Sequence, residues 1–192
     1  AAERVKQSVT GFIERRLKLK VNQDKSKVAL SKTVKFLGMT IAGGMMVIAT
    51  KSIARAMDTV RELVPRSTHH SFEQQVKRVN RWYAGWSSYY QLTEVPAQLK
   101  AIEAHIRRRF RAQFIGAQKR QRFLVRKLMR RGIDERHARK TVYSNRGRWQ
   151  LSHSRAVEIA WGNPWFKSCG LQSVSETKLP HWQPLNVWVK LT

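Results

Sequence analysis

Apolar positions follow two rhythms along this chain. Val5, Val9, Phe12, Ile13 and Leu17 recur at helical spacing and predict an amphipathic helix over 2–17. Leu19 and Val21 suggest a short strand, and the polar stretch 22–27 a loop. Two β-type runs, 34–41 and 45–49, meet at Gly43-Gly44, a pair suited to a tight hairpin turn. The helical period then returns: Ile53, Met57, Val60 and Val64 share a face, and Pro65 ends the helix.

Beyond Pro65 the pattern is helical. Ser71 and Gln74 form a capping box before the stripe Phe72, Val76, Val79, Tyr83, Trp86 and Tyr90. Pro96 opens a helix over 97–115 carrying Leu99, Ile102, Ile106, Phe110 and Phe114. Phe123, Leu124 and Leu128 mark a shorter helix stopped near Gly132, and a weaker one spans 134–143. A last helix, 155–161, is closed by Gly162-Asn163-Pro164, and irregular chain is expected from Trp165 on. The expected fold class is α+β: a short N-terminal helix plus β-hairpin, followed by a mainly α-helical domain. The natural boundary lies within 50–68, which divides the chain into 1–50, 51–174 and an irregular extension, 175–192.

Charge changes the picture. Against 38 Lys+Arg stand 12 Asp+Glu, a net charge of +26 over 192 residues. Such an excess repels itself in a compact state and is relieved by a polyanion, most commonly nucleic acid. An anionic membrane surface fits less well, because the arginines interleave with helical apolar positions and form no polybasic tail. No apolar run is long enough to span a bilayer. The single cysteine, Cys169, excludes an internal disulfide and fits a reducing, cytoplasmic setting. The chain opens inside a helical pattern without an initiator methionine, as a piece of a longer protein would.

Several chemistries are missing. The three aspartates, Asp24, Asp58 and Asp134, are far apart, so no paired carboxylates stand ready to hold two metal ions. His69-His70 has no second ligand pair at zinc spacing, and no phosphate-binding glycine loop or nucleophile motif occurs. The positive signal is basic. Arg107, Arg108, Arg109 and Arg111 occupy the arc opposite Ile106 and Phe110. Lys119, Arg120, Arg122, Arg126, Lys127, Arg130 and Arg131 follow with no acid between them. A solvated helix face normally mixes signs, since like charges one turn apart destabilise it; a one-sided run fits phosphate contacts better. The aromatic segment "NRWYAGWSSYYQL" has helical period and reads as core, with one of Trp82, Tyr83, Trp86, Tyr89 and Tyr90 left to touch a ligand. Trp149, Trp161 and Trp165 also read as packing residues.

"LKLKVNQDKS" followed by "VKFLGMTI" resembles the end of the palm in group II intron-encoded reverse transcriptases. "NRWYAGWSSYYQL", the arginine helix and "GRWQLSHSRAVEIAWGNPWFKSCGL" resemble the same family's maturase-specific region, a helical thumb. The resemblance implies a primer grip at Phe36, Leu37 and Gly38, with the glycine allowing close backbone approach to the strand. It places Lys25 near an incoming triphosphate; as a plain loop residue, Lys25 would only help to cap a turn. It implies group II intron RNA, an RNA template and a DNA primer as partners, together with an N-terminal fingers and palm half and no membrane. The family's Tyr-x-Asp-Asp motif is not in this sequence, so Mg²⁺ would serve only the intact polymerase, and no cofactor is expected on this chain. Met39 stands where the family often has Phe or Tyr. A palm lacking most of its sheet would expose a strand edge and apolar surface. The implied function is RNA-binding thumb and maturase work in splicing and RNA-directed DNA synthesis, in a bacterial, nucleic-acid-associated setting. The alternatives are a stand-alone maturase-type splicing factor without polymerase activity, or a generic basic nucleic-acid protein.

Overall fold

The computed structural model describes residues 1–174; the expected extension over 175–192 lies outside them. Helix α1 (Ala2–Arg16) forms where its apolar period predicts, with Arg15 and Arg16 in the last turn opposing the negative end of the helix dipole. No residue of α1 is buried, and Val5, Val9 and Phe12 are each at least half exposed.

The expected strand over 34–41 is two strands. β1 (Lys35–Phe36), β2 (Met39–Ala42) and β3 (Met45–Ile48) form an antiparallel meander. Phe36 pairs with Met39 across one turn, and Ala42 pairs with Met45 across the next. Both two-residue turns carry positive φ at both positions: Leu37 (49°) and Gly38 (77°), then Gly43 (58°) and Gly44 (81°). That signature belongs to the type I′ turn, whose twist matches the strands it joins. The second turn is legible from Gly-Gly. The first is hidden because Leu37, an apolar residue, enters the left-handed region.

Helical structure contributes to closing the exposed edge of this sheet. The Gln98 side chain accepts from the Ile48 amide (2.8 Å) and donates to the Ile48 carbonyl (3.0 Å), as a neighbouring strand would. The Glu94 amide donates to the Met46 carbonyl (2.9 Å). The strand edge expected to lie open is thus partly covered.

Helices α2 (Thr50–Leu63), α3 (Phe72–Tyr90) and α4 (Pro96–Gly116) carry the first part of the core. Their buried stripes, among them Val60, Val79, Tyr83, Ile102, Ile106 and Phe110, meet in one cluster. The capping box at Ser71 and Gln74 forms with both of its hydrogen bonds. α5 (Gln121–Met129), α6 (Glu135–Val142), α7 (Arg148–Leu151), α8 (Arg155–Ala160) and α9 (Asn163–Ser168) close around the end of α4.

Two expectations change here. α7 has too few residues for a period to reveal it. Gly162-Asn163-Pro164 ends α8 but also opens α9, because proline suits the first turn of a helix, where its missing N–H costs nothing. Trp165 therefore belongs to a helix rather than to irregular chain. It stacks on Phe72 with ring centroids 5.6 Å apart, and the adjacent Phe166 is fully buried.

A buried acid fixes the last described residues. Glu103, 2% exposed, accepts from the Tyr83 hydroxyl (2.7 Å), the Ser173 hydroxyl (2.7 Å) and the Val174 amide (2.9 Å). Burial, followed by the hydrogen bond to Glu103, pushes the Tyr83 phenol well above its ordinary range.

Candidate nucleic-acid interface

The basic residues predicted to meet nucleic acid fall into two populations. The four arginines of α4 do not form a free outward arc. Arg111 is buried: its Nε donates to the Trp161 carbonyl (2.9 Å) and its guanidinium pairs with Glu158 (3.3 Å). Arg109 donates from Nε and Nη2 to the Val64 carbonyl (3.1 and 2.6 Å), closing the C-terminal end of α2, where a cation is favoured. Arg108 lies 4.0 Å over the Trp149 ring and donates to the Trp149 carbonyl (3.1 Å), which fixes α7 against α4. Arg107 is mostly covered and pairs with Glu103 at 3.6 Å. The reading of these residues as a helix face opposite Ile106 and Phe110 is therefore corrected. An α4 enclosed by α2, α7 and α8 has little outward face left; Arg108, Arg109 and Arg111 satisfy carbonyls at the ends of other helices, while Arg107 pairs with Glu103 on α4 itself.

The second population is outward. Lys119, Arg120, Arg122, Arg126 and Arg130 are all exposed along the α4–α5 connection and α5. Between Glu103 and Asp134 the chain has no carboxylate to neutralise them. Arg122 and Arg126 flank the exposed ring of Phe123, at 5.2 and 6.0 Å from its centroid. Phe123 was read from sequence only as a core position of a short helix. Its place between two arginines was the available signal that it faces outward with them. Lys127 and Arg131 are half-buried over aromatic rings. Arg131 sits 4.5 Å from the Trp165 ring and donates to the Ala160 carbonyl (3.3 Å). Burial lowers the Lys127 ammonium from its usual range, with Arg131 adding to the effect.

The FLG turn divides in the same way. Phe36 and Leu37 stand out at the tip, 72% and 66% exposed. Gly38 faces the helices: a Cβ there would meet the Tyr90 hydroxyl at 2.5 Å and the Ser52 hydroxyl at 2.9 Å. The Ser52 hydroxyl donates to the Gly38 carbonyl (2.9 Å), and the Tyr89 hydroxyl donates to the Leu37 carbonyl (2.7 Å). The glycine therefore serves the turn's seat on α2 and α3. Lys25 is exposed, and its amide donates to the Asn22 side chain (3.0 Å), which closes the small loop. Among the described residues no three His, Cys, Asp or Glu side chains come together in a way that would hold a metal ion. Nor is any described helix long and apolar enough to cross a membrane.

The family model of the group II intron maturase-specific domain matches residues 53–150, just over half of the chain, and the chain belongs to that family. Membership supports a maturase-type role and implies association with group II intron RNA. No curated protein matches the chain.

Proposed function

We propose that this chain binds group II intron RNA through Lys119, Arg120, Arg122, Arg126 and Arg130, and that it acts in splicing by holding the folded RNA. The observation that carries this reading is the exposed, carboxylate-free run of cations around Phe123. Guanidinium groups meet phosphates with two parallel hydrogen bonds, and an exposed ring between them offers a surface for an unpaired base. Arg107, Arg108 and Arg111 act one step back, keeping the helices in place.

A second reading, work beside a polymerase centre, rests on Phe36 and Leu37 projecting from a turn whose other side is locked to α2 and α3. Joined to a fingers and palm half, this tip would meet the DNA primer paired with its RNA template, and Lys25 would face the triphosphate. In this reading Mg²⁺ belongs to that other half.

The test is a titration of the full chain with a folded group II intron transcript and with an unrelated RNA of equal length. Preference for the intron is expected. Changing Arg120, Arg122, Arg126 and Arg130 together to Ala should weaken binding and flatten its salt dependence by roughly 3 to 4 in log–log slope, about 0.9 per lost phosphate contact. A quadruple variant that binds like the parent would refute the proposal.

A further inference from the structure

Where the end of α2, the middle of α4 and α7 converge, a cleft of about 490 Å³ is lined by Arg61, Arg66, His105, Arg109, Arg148 and Trp149, and no carboxylate is among its lining residues. Four guanidinium groups around one hollow repel each other. Arg109 is held there by its bonds to Val64, and the exposed Arg148 stands at the rim with its guanidinium against Gly116. Trp149 is clamped between Arg108 and the edge of His105, whose ring lies 5.7 Å away. His105 Nε2 is buried and has no hydrogen-bond partner among the described residues. A buried, unpaired nitrogen is costly unless something fills its place.

We propose that this cleft receives a single phosphodiester of the bound RNA, held between the arginines with His105 Nε2 completing its hydrogen bonds. The proposal rests on the RNA-binding reading above and adds a defined pocket to it. Guanidinium forks fit phosphate oxygens, and although Arg61 is paired with the exposed Asp58 on α2, no described carboxylate lines the hollow itself, which disfavours cationic ligands. The cleft is a different place from the α5 face, and a folded RNA reaching both would be oriented and not merely held.

His105 reports on occupancy. Burial, then Arg109, Arg61 and Arg108, depress its pKa to about 4. The charges around it come from several packed elements: Arg61, with its ion-pair partner Asp58, and Arg66 from α2 and the segment after it, Arg108 and Arg109 from α4, and Arg148 from α7. On the far side His105 borders the hollow that holds Arg111, His153 and Glu158. A phosphate in the cleft offsets the arginine field, so it should raise the His105 pKa.

The experiment follows the His105 ring by NMR in the full chain, its signal assigned with His105→Asn, during separate titrations with folded intron RNA and inorganic phosphate. A second arm measures RNA affinity against salt for Arg66→Ala/Arg148→Ala. RNA should shift the His105 signal and raise its pKa by at least about one unit, a tenfold change in proton affinity. The double variant should lose about 2 in salt slope. Inorganic phosphate should shift the same signal more weakly. An unmoved His105 signal on RNA that binds tightly overturns the pocket alone. A signal moved by inorganic phosphate but not by RNA makes the cleft a small-anion site and also overturns the proposal. Absence of RNA binding by the parent chain removes the RNA reading itself, which the binding curve reports separately.

Discussion

Arg111 separates the two populations of cations most sharply. Sequence places it with the nucleic-acid-binding arginines, yet its side chain is only 8% exposed and its Nε donates to the Trp161 carbonyl in the interior. Two substitutions distinguish what it does. Arg111→Met keeps most of the aliphatic stem and removes the donors. The Trp161 carbonyl, at the C-terminal end of α8, then loses a charged partner, a change worth about 1.5–3 kcal/mol. Loss of the Glu158 contact adds little, because Glu158 is 38% exposed and also contacts the His153 ring (2.8 Å). Relief of the buried charge offsets part of the total, so Arg111→Met should cost about 2 kcal/mol. Arg111→Ala also removes packed methylenes, each worth about 0.8 kcal/mol, and should cost about 3–4 kcal/mol.

The assay is urea unfolding followed by tryptophan fluorescence, with RNA titrations under conditions where every variant is folded. Arg122→Ala, at an exposed site, is the contrast: stability within about 0.5 kcal/mol of the parent and weaker RNA binding. An Arg111→Met chain as stable as the parent but impaired in RNA binding would refute the structural assignment and return Arg111 to the interface.

Two further predictions test the seat of the meander and the arginine field around His105. Gly38→Ala places a Cβ at φ 77° against the Tyr90 and Ser52 hydroxyls and should destabilise by about 2 kcal/mol; Tyr90→Phe, by removing one of those hydroxyls, should recover part of the loss in the same unfolding assay. The His105 pKa falls from 6.5 to about 4 on folding, so below pH 6.5 the unfolded chain takes up a proton that the folded chain refuses. Stability should therefore fall between about pH 6.5 and 4, by clearly less than the whole shift would give because the half-buried ring is partly screened by solvent, and His105→Asn should flatten that decline; an unchanged pH profile in the variant would count against a depressed His105.

The helical part was legible because its stripes are long. Phe72 through Tyr90 and Leu99 through Phe114 each repeat over several turns, enough for the period to settle both the element and its buried face. Gly162-Asn163-Pro164 carries signals for both a stop and a start, and only packing of Trp165 and Phe166 shows that both are used. Leu37 gave no turn signal; its positive φ sits in a turn held by hydrogen bonds from residues remote in sequence, Tyr89 to the Leu37 carbonyl and Ser52 to the Gly38 carbonyl. The basic site was half legible. A sequence shows that cations outnumber acids, but not which of them face a carbonyl and which face water.

That division follows from geometry more than from residue type. α4 is surrounded by α2, α7 and α8, whose C-terminal ends present carbonyls without helical partners. Arg108, Arg109 and Arg111 each reach one such group, at Trp149, Val64 and Trp161. These arginines do for helix ends what capping residues do elsewhere, from a neighbouring helix. Their charge is not thereby cancelled. Of the three, only Arg111 faces a carboxylate among the described residues, and the field of Arg109 and Arg108 adds to burial in depressing the His105 pKa. A fold fastened by arginines on carbonyls keeps its positive potential, whereas one fastened by ion pairs would spend it. The same residues thus hold the helices together and leave the cleft beside α7 attractive to an anion.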